Sequence, residues 1–147
     1  MKYYLLKPEI AGELGDMSEL VYEAGKIKDV IFLEYRFVGW QGDELLSTHP
    51  CFIVTESLQK NIILNNLTGV EFSDIAVSFS DEFSDMYGDI KLPKFVQIIC
   101  NTSYEKDILN LQSDFYYNKY KEMIVSEKAM RVLKQHKLDM CVVELIS

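Results

Sequence analysis

Three cysteines, two histidines and one dense acidic run carry most of the reactive or charge-bearing chemistry in this sequence. Cys51, Cys100 and Cys141 are odd in number and widely spaced. Each stands in an apolar, strand-like run, which points to buried free thiols rather than a disulfide framework. A thiol nucleophile needs a lowered pKa and a base beside it. Cys141 and His136 are close in sequence, but no activated-thiol motif surrounds any of the three. His49 precedes Pro50 and reads as a loop residue. His136 falls near the end of a basic helical stretch, where positive charge suits the helix dipole. Neither histidine has a second ligand at helical or hairpin spacing, so no zinc or other metal site is expected. No Gly-rich phosphate loop and no GxSxG elbow occurs, and no cofactor is expected.

Two further groups could do chemistry. Ser126-Glu127 has the composition of a catalytic pair, but a helix start explains both residues: the hydroxyl as N-cap, the carboxylate in the first turn. Asp81, Glu82, Asp85 and Asp89 surround the aromatics Phe79, Phe83 and Tyr87. Their spacing does not fit a calcium-binding loop. They read as a solvated acidic segment and, if the protein binds another, as its contact surface, with Tyr87 as an aromatic anchor. Trp40, the only tryptophan, reads first as a core or turn anchor and second as a binding hot spot.

The elements that must position these residues are legible as an internal echo. Ile53-Val54-Thr55-Glu56 and Ile124-Val125-Ser126-Glu127 are 71 positions apart, and Leu67/Leu138 and Ile75/Ile146 continue the match without a gap. Each unit predicts a short apolar strand, an N-capped amphipathic helix and a second apolar strand. Leu58, Ile62 and Ile63 form the apolar face of the first helix, and Ala129, Val132 and Leu133 that of the second. Gly69 is placed to end the first helix in a left-handed cap. Val70–Val77 and Cys141–Ile146 follow as strands.

Around the two units, Lys2–Lys7 and Lys94–Cys100 read as strands. Val30–Val38 alternates, with Ile31, Leu33, Tyr35 and Phe37 on one face and Glu34 and Arg36 on a solvent face. Ser18–Ala24 and Tyr104–Leu111 fit short helices, and Glu44–Ser47 a helical turn. Ser78–Asp89 fits a loop or a short irregular helix. The expected fold is α+β, a single compact domain with a mixed sheet and two related strand–helix–strand units (52–77 and 123–147). Parallel pairing of the strands flanking each helix would require right-handed crossovers.

The chain has 147 residues, 48% of them hydrophobic, enough for a sizeable core. No apolar run is long enough to span a bilayer, and the N-terminus does not have the form of a signal peptide. A cytoplasmic protein is expected. With 23 acidic and 15 basic residues the formal charge is −8, which disfavours nucleic acid binding and would steer a basic partner.

Phe52-Ile53-Val54-Thr55-Glu56-Ser57-Leu58, followed by Leu67-Thr68-Gly69-Val70-Glu71-Phe72, resembles the core motif of a family of bacterial immunity proteins from polymorphic-toxin systems, formerly a domain of unknown function. Ile124-Val125-Ser126-Glu127-Lys128-Ala129 and the N-terminal Met1-Lys2-Tyr3-Tyr4-Leu5-Leu6 are similar too. The resemblance covers about half of the chain and supplies no catalytic residue. It implies a non-enzymatic protein that binds and blocks a cognate protein toxin. Asp81, Glu82, Asp85, Tyr87 and Asp89, in the region the resemblance leaves unmatched, are then the contact residues expected. The alternative is a small-molecule-binding protein or enzyme, with a pocket between the two related lobes lined by Phe115–Tyr120 and Trp40.

Overall fold

The computed structural model describes residues 2–88, 90–105 and 112–146. In chain order its elements are β1 (Tyr3–Lys7), β2 (Gly12–Leu14), β3 (Glu19–Glu23), β4 (Lys26–Phe32), β5 (Glu34–Phe37), β6 (Leu45–Thr48), β7 (Cys51–Thr55), α1 (Glu56–Leu64), β8 (Val70–Ser73), β9 (Ala76–Phe79), α2 (Asp81–Tyr87), β10 (Phe95–Cys100), β11 (Phe115–Tyr117), β12 (Met123–Ser126), α3 (Glu127–Leu133) and β13 (Val142–Leu145). The fold is α+β, as expected. No helix among the described residues is long and apolar enough to cross a membrane.

The 71-residue echo is a spatial repeat. The first unit is β7–α1–β8 and the second β12–α3–β13. The strands flanking each helix run parallel, but they do not pair. An antiparallel strand lies between them in both sheets, giving the orders β6-β7-β10-β8 and β11-β12-β1-β13. The two ladders share one register. Val96 opposes Val54 as Tyr4 opposes Val125, and Ile98 opposes Phe72 as Leu6 opposes Val143. Two strand spacings come to about 10 Å, close to the width of a helix, so one helix covers the gap that the middle strand fills. The first lobe takes that strand from downstream in the chain and the second from the N-terminus. Sequence order therefore hides the symmetry.

Both helix starts follow the expected capping. Thr55 Oγ1 accepts from the N–H of Leu58 at 3.2 Å, and Ser126 Oγ from that of Ala129 at 3.1 Å. The next amides donate to the strand beside them, Glu56 to the carbonyl of Lys94 and Glu127 to that of Lys2. Thr55→Ala and Ser126→Ala should each cost about 0.5–2 kcal/mol in urea unfolding. A cost below that range would mean the hydroxyls do not cap.

Leu58 and Ile62 of α1 and Ala129, Met130, Val132 and Leu133 of α3 meet in one core with Leu6, Val54, Val96, Phe115 and Val125. Both lobes bury their inner faces there, and the helices pack on each other. Ile63 is 57% exposed, outside the face expected for it. The opposite side of the first sheet builds a second core. Leu46, Cys51, Ile53 and Phe95 alternate with residues of the first core along their strands and pack on Leu33, Tyr35, Phe37 and Phe83. Their cover is the mixed three-stranded sheet β2-β5-β9, in which β5 and β9 are parallel, together with α2 and Trp40.

Several local expectations are corrected. Ser18–Ala24 is not helical. It supplies β3, which pairs with β4 through a turn at Ala24 and Gly25, both at positive φ, as a tight hairpin requires. Val30–Val38 is two strands in two sheets, broken at Leu33. Ile31 is exposed, and Glu34, expected in solvent, is buried and accepts from the N–H of Met17 at 2.7 Å. Glu44–Ser47 leads into β6 rather than a helical turn. Val70–Val77 divides into β8 and β9. Asn65 caps α1 and Asn66 takes the left-handed conformation assigned to Gly69. Gly69 has φ +90°, and a Cβ there would collide with the carbonyl of Phe115. Of the Tyr104–Leu111 helix, residues 106–111 lie outside the described residues.

Candidate functional site

The acidic segment forms α2. Ser80 Oγ accepts from the N–H of Phe83 at 3.1 Å and starts the helix, and Phe83 anchors it in the second core. Asp81 and Asp85, one turn apart, and Glu82 beside them are exposed. Among the described residues none of the three forms an ion pair. Asp89 lies outside the described residues. Tyr87 is half-buried. Its ring stacks on Phe83 with centroids 4.5 Å apart, and its hydroxyl donates to the carbonyl of Trp40 at 3.3 Å. It ties α2 to the Trp40 turn, while Phe79 (45%) and Met86 (73%) are the more exposed apolar side chains nearby in sequence.

Charge is distributed unevenly between the parts of the fold. Residues 8–105 carry seventeen acidic and six basic side chains, a formal −11. Residues 1–7 with 112–147, which make the second lobe, carry five acidic and eight basic, a formal +3. The first lobe and its covering layers hold the negative charge, and α2 belongs to them. This signal is present in the sequence, but it emerges only once β1 is assigned to the second lobe.

Cys51 is buried, and Cys100 and Cys141 are half-buried; all three are free. Burial pushes the Cys51 and Cys100 thiols up to about 12 and the Cys141 thiol to about 11. That direction keeps them protonated and poorly nucleophilic. His49 is exposed beside a cis bond to Pro50. No group of three or more His, Cys, Asp or Glu side chains arranged to hold a metal occurs among the described residues.

His136 lies beyond the end of α3 and belongs to a latch between the lobes that local reading missed. Its Nδ1 is 3.0 Å from Glu44 Oε1, which also accepts from Thr55 Oγ1 at 2.7 Å, while Glu44 Oε2 accepts from the N–H of Lys137 at 3.1 Å. The second lobe returns the same contact. Asp114 accepts from Ser126 Oγ at 2.7 Å and from the N–H of Thr68 at 3.0 Å. Each N-cap hydroxyl therefore donates to a carboxylate that grips the segment after the other lobe's helix. Glu44 and Asp114 each stand one residue before an edge strand, β6 and β11, which is the signal that could have found them.

The aromatics expected around one pocket lie in several places. Trp40 packs edge-on against Phe95 and donates its indole N–H to the carbonyl of Asp43 at 2.8 Å. Phe115 is in the shared core and Tyr116 clusters with Tyr3 and Ile124. Tyr120 is exposed. Tyr117 lines an open cleft of about 380 Å³ between the β3–β4 ribbon and the outer face of β7 and β10, where Val30, Cys51, Gln97 and Ile99 also contribute.

Comparison of the sequence with protein-family models gives no match, and comparison with curated proteins gives none either.

Proposed function

We propose that this chain is a non-enzymatic immunity protein that binds a cognate protein toxin with a basic surface and neutralises it. The observation that carries the reading is the lopsided charge, −11 against +3, with Asp81, Glu82 and Asp85 exposed and unpaired among the described residues on a helix anchored by Phe83. Carboxylates held on a rigid element accelerate encounter with a cationic surface without needing to be buried. The motif resemblance supports the same reading and adds its setting, a bacterial cell that makes the toxin itself.

The test uses the toxin encoded beside this gene. Co-expression should protect cells, and stopped-flow mixing should show association that slows as salt rises. Reversing Asp81, Glu82 and Asp85 to Lys should slow association about tenfold at low salt and flatten its salt dependence, with the fold unchanged. Equal rates at both ionic strengths would remove α2 from the interface. Failure to bind or protect would remove the immunity reading itself.

A further inference from the structure

We propose that the β3–β4 ribbon is the apolar docking arm of this protein, and that its occupant is a basic protein partner laying an extended segment into the cleft beside the ribbon. This rests on the immunity reading and names a second part of the same interface. Tyr87 is half-buried and tied to Phe83 and Trp40, and the ribbon offers a second, separate apolar surface.

The pairing of the ribbon sorts its side chains into two faces. Leu20 opposes Val30 and Tyr22 opposes Ile27 on one face, and Val21 opposes Asp29 and Glu23 opposes Lys26 on the other. The first face is apolar at all four of these positions. It begins at Val30, packed on the second core, and ends at Tyr22, 61% exposed near the tip. A two-stranded ribbon gains little stability in water by itself, and an apolar strip leading from core to solvent is ordinary anatomy for a contact surface. The register shifts twice along the ribbon. Such bulges twist strand edges away from further strand pairing. The ribbon thus offers side chains rather than a backbone edge.

The cleft supplies a second, independent observation. Gln97 lines it and is only 8% exposed. Its Nε2 reaches Cys51 Sγ at 3.6 Å, a weak acceptor. Among the described residues its amide makes no other hydrogen bond, so one N–H and the carbonyl oxygen are left to the open cleft. A peptide group satisfies both at once. Lys28, drawn to Glu23 at 3.2 Å, and Lys121, over the Tyr117 ring at 4.7 Å, stand at the same cleft. Asp29 lines the cleft with them, so it carries charges of both signs around the Gln97 amide. The cations of the partner meet Asp16, Glu19, Glu23 and Asp29, four carboxylates against two lysines over residues 16–32.

The experiment measures dissociation of the toxin complex formed by the full chain, with hydrogen exchange on the same complex. Tyr22→Ser alters an exposed side chain and should leave folding intact. It should raise the dissociation rate at least tenfold and change association less than twofold, the reverse of the signature expected for the α2 charge reversal. Gln97→Leu should act in the same direction; if it fails to fold, Tyr22→Ser carries the test. Amides of residues 19–32 should exchange more slowly in the complex. If wild-type protein binds the toxin but Tyr22→Ser dissociates at the wild-type rate and these amides are not slowed, the ribbon is excluded and the immunity reading stands. If wild-type protein does not bind, both fall.

Discussion

Phe37→Ala should cost about 3–5 kcal/mol of folding stability, the largest effect of any single substitution considered for this protein. Phe37 is fully buried, and its ring meets Tyr35 at 4.8 Å, Phe95 at 5.6 Å, Phe83 at 5.8 Å and Phe79 at 6.1 Å between centroids. Those rings come from β5, β10, α2 and β9. Removing Phe37 therefore leaves a void where three layers converge, and no single element can collapse to fill it. In urea the midpoint should fall with the slope unchanged. Phe37→Leu, which retains most of the volume, should cost much less. A loss below about 1 kcal/mol for the alanine variant would mean that the second core does not fold as one unit. Because Phe83 also anchors α2, loosening this core should loosen α2 as well.

Glu44→Gln should cost about 2–3 kcal/mol, with a pH dependence that identifies its source. Three donors converge on this carboxylate, from Thr55, His136 and Lys137, and the Gln amide cannot accept from all of them. Burial pushes the Glu44 carboxyl up, but the hydrogen bonds from Thr55, His136 and Lys137 outweigh it, and its pKa lies below the ordinary 4.5. A folded-state pKa below the unfolded one means that the carboxylate stabilises the fold at pH above 4.5. That contribution fades as pH falls through the lower folded value. The gap between wild type and Glu44→Gln should therefore be complete near neutral pH and shrink below about pH 4.5. Glu9, whose carboxyl is raised chiefly by burial, acts in the opposite sense; it is present in both proteins and cancels in the difference. A gap that stays constant from pH 7 to pH 3 would rule out the ionised latch.

The unequal reach of local and tertiary information explains what could be read from the chain. Thr55 and Ser126 were legible as caps because a cap and the amide it serves are three residues apart. The repeat was legible because helix period, strand alternation and capping recur at one offset. The acidic residues of α2 were legible as exposed by their charge alone. The tie between Tyr87 and Trp40 was not legible, because the two are 47 residues apart. The ribbon was not seen either. Ser18–Ala24 has residues compatible with a helix, and only pairing with Lys26–Phe32 makes it a strand.

The sequence by itself determined the α+β class, the two capped helices, most of their buried faces and the sign of the surface charge. Each of these follows from patterns that close within a helical turn or a strand, or from composition. Only the tertiary structure decided that β10 and β1 enter the middle of the two sheets, that the chain breaks between sheets at Leu33, and that Glu44 and Asp114 latch each lobe to the other. Those choices are made by contacts 92 and 46 residues apart. Hydrogen-bonding capacity and apolar area are properties of a residue, but the partner that satisfies them is a property of the assembled fold.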